Sequence, residues 1–94
     1  MDRVYNFIGF EKSKNKRKKY DALLERKSDK NIKRIGFGSK IPLMEQYQDK
    51  TGLGLYSKLN HLDNKRRDNF LKRHDCKNAE KYTPKWFSCE YLWK

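Results

Sequence analysis

Residues 18–38, KKYDALLERKSDKNIKRIGFG, decide how this chain folds. Tyr20, Ala22 and Leu24 fall on one side of an alternation, as on a strand with one face turned inward. Ser28-Asp29-Lys30-Asn31 is turn chemistry, and Ile32, Ile35 and Phe37 with two glycines supply a returning strand. The segment is therefore a β-hairpin. Such a hairpin is unstable alone and needs a further strand and a cover for its apolar face.

Both are found by reading outward. Residues 3–10, RVYNFIGF, are β-branched and aromatic and add a first strand. At the other end, residues 83–93, TPKWFSCEYLW, open on Thr83 as N-cap and Pro84 at the first helical position. Trp86, Cys89 and Trp93, with Phe87 and Tyr91, make that helix apolar on most sides, so it must be largely buried. It is the expected lid on the sheet. Between these parts, Gly52 and Gly54 interrupt helix formation. A short helix is expected around residues 44–48, then a glycine-containing loop over 49–58 with a helical turn near Tyr56. A longer helix over 60–75 follows, capped by Asn60 or Asp63. The expected architecture is one α+β domain over residues 1–94: a basic mobile loop at 11–19, the hairpin at 18–38, and helices at 60–75 and 83–93.

A chain of 94 residues has room for one domain and a small core. Its Leu, Ile, Val and Phe residues number only 19, near the level at which disorder sets in. Thirteen aromatics argue for a folded core. The formal charge is +12. Residues 1–40 carry 13 basic and 5 acidic groups and the remainder 11 and 7, so the excess is not confined to a tail. Such a field attracts polyanions, nucleic acid foremost, and an acidic protein surface or anionic lipid would satisfy it too; the expected partner is nucleic acid, DNA before RNA, or an acidic capsid protein. No signal-peptide core or membrane-spanning apolar run is present, which makes the expected setting intracellular, soluble and reducing, with Cys76 and Cys89 as ordinary thiols.

Two stretches carry the charge. Residues 12–19, KSKNKRKK, hold six cations in eight positions, so Lys12, Lys14, Lys16, Arg17, Lys18 and Lys19 are candidate phosphate contacts. Residues 61–76, HLDNKRRDNFLKRHDC, hold five. On a helical wheel Asp63, Arg67, Phe70, Leu71 and His74 share a face, which pairs Arg67 with Asp63 in a partly buried position. Arg66 and Arg73 lie two turns apart on one flank and are candidate phosphate contacts. His61, His74, Cys76 and Cys89 all have metal-ligand chemistry, but their spacing forms no compact zinc site, and no metal or other cofactor is expected. The G-x-G of residues 36–38 is neither a dinucleotide loop nor a phosphate-binding loop of NTPases. No catalytic motif appears, and a non-enzymatic protein is expected.

The order of motifs has a parallel. Lys19-Tyr20, Phe37-Gly38, Tyr47, the run His61, Asp63, Arg66, Phe70, Arg73 and His74, and Trp86 with a terminal Leu92-Trp93 form one series. This series resembles a family of small basic proteins encoded by large double-stranded DNA viruses of algae and protists. The resemblance runs from about Lys18 onward and implies no activity. It implies a viral protein, of the virion or of the virus factory in host cytoplasm or nucleus, and not a secreted one. Cys76 and Cys89 fall outside the family's pattern. The expected role is non-specific nucleic-acid binding through phosphate contacts. The alternative is a minor virion component that docks on an acidic coat-protein surface.

Overall fold

The computed structural model describes residues 3–94. Three antiparallel strands, β1 (Tyr5–Lys12), β2 (Lys18–Arg26) and β3 (Ile32–Ser39), form a meander in the order β1-β2-β3. Helices α1 (Asn64–Arg73) and α2 (Pro84–Leu92) complete a small α+β domain. The register sets Tyr20 opposite Phe37 and Ala22 opposite Ile35, so the inward positions of the hairpin share one face. Asp29 shapes the β2–β3 turn by accepting from the Asn31 amide at 3.1 Å, and Lys30 takes the left-handed conformation there.

The central strand is buried on both faces. Tyr20, Ala22, Leu24 and Phe37 face the core, where Phe87 of α2 stacks on Phe37 at 5.5 Å. Thr83 caps α2 through the Trp86 amide, Pro84 occupies the first turn, and Phe87, Cys89 and Leu92 are buried, so the aromatic lid is in place. On the opposite face of β2, buried Asp21 organises the β1–β2 connection. Its carboxylate accepts from Ser13 Oγ (2.6 Å), the Lys14 amide (3.2 Å) and Arg34 (3.1 Å). Asn15 then closes the turn on the Arg17 amide. The basic loop expected to be mobile over 11–19 is thus two strand ends joined by a short hydrogen-bonded turn.

The expected helix at 44–48 does not form. Gln46 instead bridges to Asn60, its amide donates to Leu59, and Tyr47 and Gln48 donate to the Leu92 carbonyl at the end of α2. The segment is an extended strap, because the buried Gln46 amide is satisfied across the chain by Lys19 and Asn60 and not along it. The helical turn expected near Tyr56 is a single 3₁₀ turn at Ser57–Leu59. Among the described residues no helix is long and apolar enough to cross a membrane.

The two cysteines are not free thiols. Cys76, in a 3₁₀ turn after α1, is bonded to Cys89 in the middle of α2, with both side chains buried. Asp75, in the left-handed region at φ 49°, turns the chain so that Cys76 points inward. The bond closes a loop with a sequence separation of 13 and ties the end of α1 to the lid. Replacing both cysteines with serine should therefore lower the unfolding free energy by about 3 kcal/mol, the loop-closure value for this length. Urea titration measures it, and an unchanged midpoint would mean that the bond constrains nothing.

Candidate nucleic-acid interface

Asp63 caps α1, accepting from the amides of Lys65 (3.0 Å) and Arg66 (3.2 Å). That role turns the carboxylate toward the helix end, and it does not hold the Arg67 side chain as the wheel suggested. The Arg67 guanidinium lies over the Tyr47 ring at 5.1 Å, with a 3.4 Å contact to Asp68. No residue of α1 is fully buried. The helix is held instead by rings. Phe70 stacks on Trp93 with centroids 4.0 Å apart and planes within 3°. His74 lies 4.2 Å from Phe70, and His61 lies 5.3 Å from Trp93. Trp93 and His74 make no ring contact with each other, so they take opposite faces of Phe70. The result is a column in the order His61, Trp93, Phe70, His74.

Both histidines are held below the usual imidazole range. Burial is the main cause for each; the second is Arg66 for His61, and Arg73 with Lys85 for His74. His61 Nδ1 accepts from the Asp63 amide at 2.9 Å, which requires the neutral ring.

Beside the column a cleft of about 650 Å³ opens between one side of α1 and one side of α2, bounded by the ends of β2 and β3. Lys18, Arg66, Arg73 and Lys85 line it, and among the described residues Glu45 is the one carboxylate on its wall. Among the described residues, Lys18, Arg73 and Lys85 have no acidic partner. Arg66 pairs with Glu45 at 3.4 Å, both about half exposed, a contact worth at most ~1 kcal/mol and readily exchanged for phosphate. Cations from three elements, carrying opposite-charge capacity to spare, make an anion site.

The fold therefore brings Lys18, Arg66 and Arg73 together. Lys12, Lys14, Lys16 and Arg17 are exposed at the β1–β2 turn, outside the cleft wall. Lys85 was missed by sequence reasoning, although Lys85 and Ser88 form a polar strip at i, i+3 on an otherwise apolar helix. The four residues weighed for zinc do not converge. The cysteines are joined, and the histidines sit at opposite ends of the column. Among the described residues no group of three His, Cys, Asp or Glu is arranged around a common point for a metal.

Lys19 requires a correction. It is 1% exposed and cannot reach a phosphate. Its ammonium donates to the Met44 carbonyl at 2.6 Å and to Gln46 Oε1 at 2.8 Å, beneath the strap. It lies 6.0 Å from the Tyr56 ring. Burial lowers its pKa to about 8, against a smaller opposing pull from Asp49.

No family model, curated protein or solved structure matches this chain.

The depressed pKa of Lys19 has a consequence for stability. Between about pH 8 and 10 the unfolded lysine keeps a proton that the folded one releases, so stability rises with pH, by roughly 2 kcal/mol. Tyr20, raised to about 12 mainly by burial, acts in the opposite sense only above its unfolded value near 10. Chemical unfolding of the native chain and of Lys19→Met across that window checks this. The native chain should gain stability and the variant should not; parallel slopes would mean that Lys19 is solvated.

Proposed function

We propose that this chain is a non-catalytic protein that binds nucleic acid without sequence specificity, neutralising phosphates on a basic face, in a virus particle or virus factory. The observation that carries the reading is the convergence of Lys18, Arg73 and Lys85, none with an acidic partner among the described residues, on one cleft beside Arg66. Uncompensated cations cost folding energy through mutual repulsion, and phosphate binding relieves that cost while releasing counterions. The exposed cations of the β1–β2 turn add to the positive field. The viral setting rests on the resemblance of the ordered motifs alone.

A second reading is docking on an acidic coat protein. It draws support from Ile41, Leu43 and Met44, which are each at least half exposed beside the cleft and suit an apolar protein contact. Stripping particles in layers separates the two readings, since a genome-binding protein leaves with the nucleic acid and a coat component with the shell.

Salt titration tests the main reading. The logarithm of the binding constant should fall linearly with the logarithm of salt, and Arg73→Ala and Lys85→Ala should each flatten that slope by about one unit. Melting temperatures should barely move, because neither side chain is buried or, among the described residues, paired. Slopes equal to that of the native chain would remove these residues from the interface.

A further inference from the structure

We propose that the cleft receives one unpaired base, so that the chain binds single strands in preference to duplex; this rests on the nucleic-acid reading and narrows it. The shape of the cleft suits a single base. A concave site of about 650 Å³ between two helices has the size of a small-molecule pocket. A duplex offers it only a convex backbone, because its bases are stacked and paired inside. A splayed-out nucleotide can enter.

The ring column suits a base as well. It ends in the cleft at His74, whose one face is taken by Phe70 while no other described ring contacts it. An unpaired base laid on the remaining face continues the stack. Stacking of this kind tolerates any base, which suits binding without sequence preference. The neighbours of that position are polar and uncommitted. Asn69 on α1 and Ser88 on α2 line the cleft, and neither side chain has a hydrogen-bond partner among the described residues. Both can meet the edge of a base. Arg73, adjacent to His74, and Lys85, on the opposite wall, flank the end of the column, where the phosphates on either side of a flipped-out nucleotide would run. The cleft thus combines a stacking surface, edge-binding groups and phosphate-binding cations, whereas phosphate neutralisation alone would need only the last.

The test uses the intact chain and three labelled probes at one salt concentration: an oligothymidine, an abasic strand with the same number of phosphates, and a blunt duplex. Fluorescence anisotropy should show the oligothymidine bound about tenfold more tightly than either of the others, the increment expected of one base stacked on a ring. His74→Ala should erase that difference, while His74→Phe should keep it. Equal, salt-sensitive affinity for all three probes would overturn the base-binding proposal and leave phosphate neutralisation standing. No binding to any probe would overturn both. If His74→Ala is folded and still prefers the thymidine strand, the base does not stack where the column ends, and the proposal fails.

Discussion

Phe70 lying flat on Trp93 is what makes a three-dimensional site out of a charged helix. α1 has ten residues, five of them Lys or Arg, and no fully buried side chain. A helix that short and that charged is marginal in water by itself. It persists because its middle is stacked on the penultimate residue of the chain, its start is capped by Asp63, and the turn beyond it is bonded to α2. None of these contacts presses the helix onto the sheet. They hold it at a distance, and the space left is the cleft. Were α1 packed on the sheet through an ordinary apolar stripe, the same cations would lie on a convex surface.

The second organising feature is the double burial of β2. Side chains on one face of this central strand build the aromatic core. Asp21, on the other face, and Lys19, beneath the strap, are taken out of solvent in opposite ways. Asp21 gathers Arg34, the Lys14 amide and the Ser13 hydroxyl of the turn, so its charge is met by donors. Lys19 finds a carbonyl and an amide oxygen but no carboxylate in contact, which is why its ammonium is depressed and not merely shielded. In exchange it anchors the strap that reaches α2, and the strap in turn closes the side of the cleft through Met44 and Glu45. Folding and site are coupled through this one lysine.

What could be read in the sequence was what local chemistry decides. The hairpin, its Ser28–Asn31 turn, the Thr83 cap and the buried C-terminal helix all follow from residues within a few positions of one another, whereas the start of α1 was left between Asn60 and Asp63, of which Asp63 is the cap. What could not be read depends on distant partners. Lys19 stands in a basic run, and the strap that buries it, through Met44 and Gln46, lies some 25 residues away in the sequence. Asp63 fitted two roles in one sequence pattern, cap and ion-pair partner, and it serves as the cap, with its carboxylate on the free amides at the helix start and not on Arg67. Gln46 forms a strap and not a helix because its partners, Lys19 and Asn60, come from elsewhere in the chain. The bond between Cys76 and Cys89 had no sequence signature, since two cysteines in a basic chain fit many environments. Half of the cleft was legible, in Lys18, Arg66 and Arg73; the half supplied by α2 was hidden by the apolar character of the rest of that helix.

The claim that most needs measurement is that polyanion meets this molecule at the cleft and not over its basic surface at large. Chemical-shift mapping of the isotopically labelled chain with a short oligonucleotide addresses it residue by residue. The account requires the largest changes at Arg66, Asn69, Arg73, Lys85, Ser88 and the Trp93 indole, with little change at Lys30 and Lys33 at the far end of the hairpin. Changes of similar size at Lys30 and Lys33, or changes confined to the turn from Ser13 to Arg17, would mean that the cleft is not the binding face.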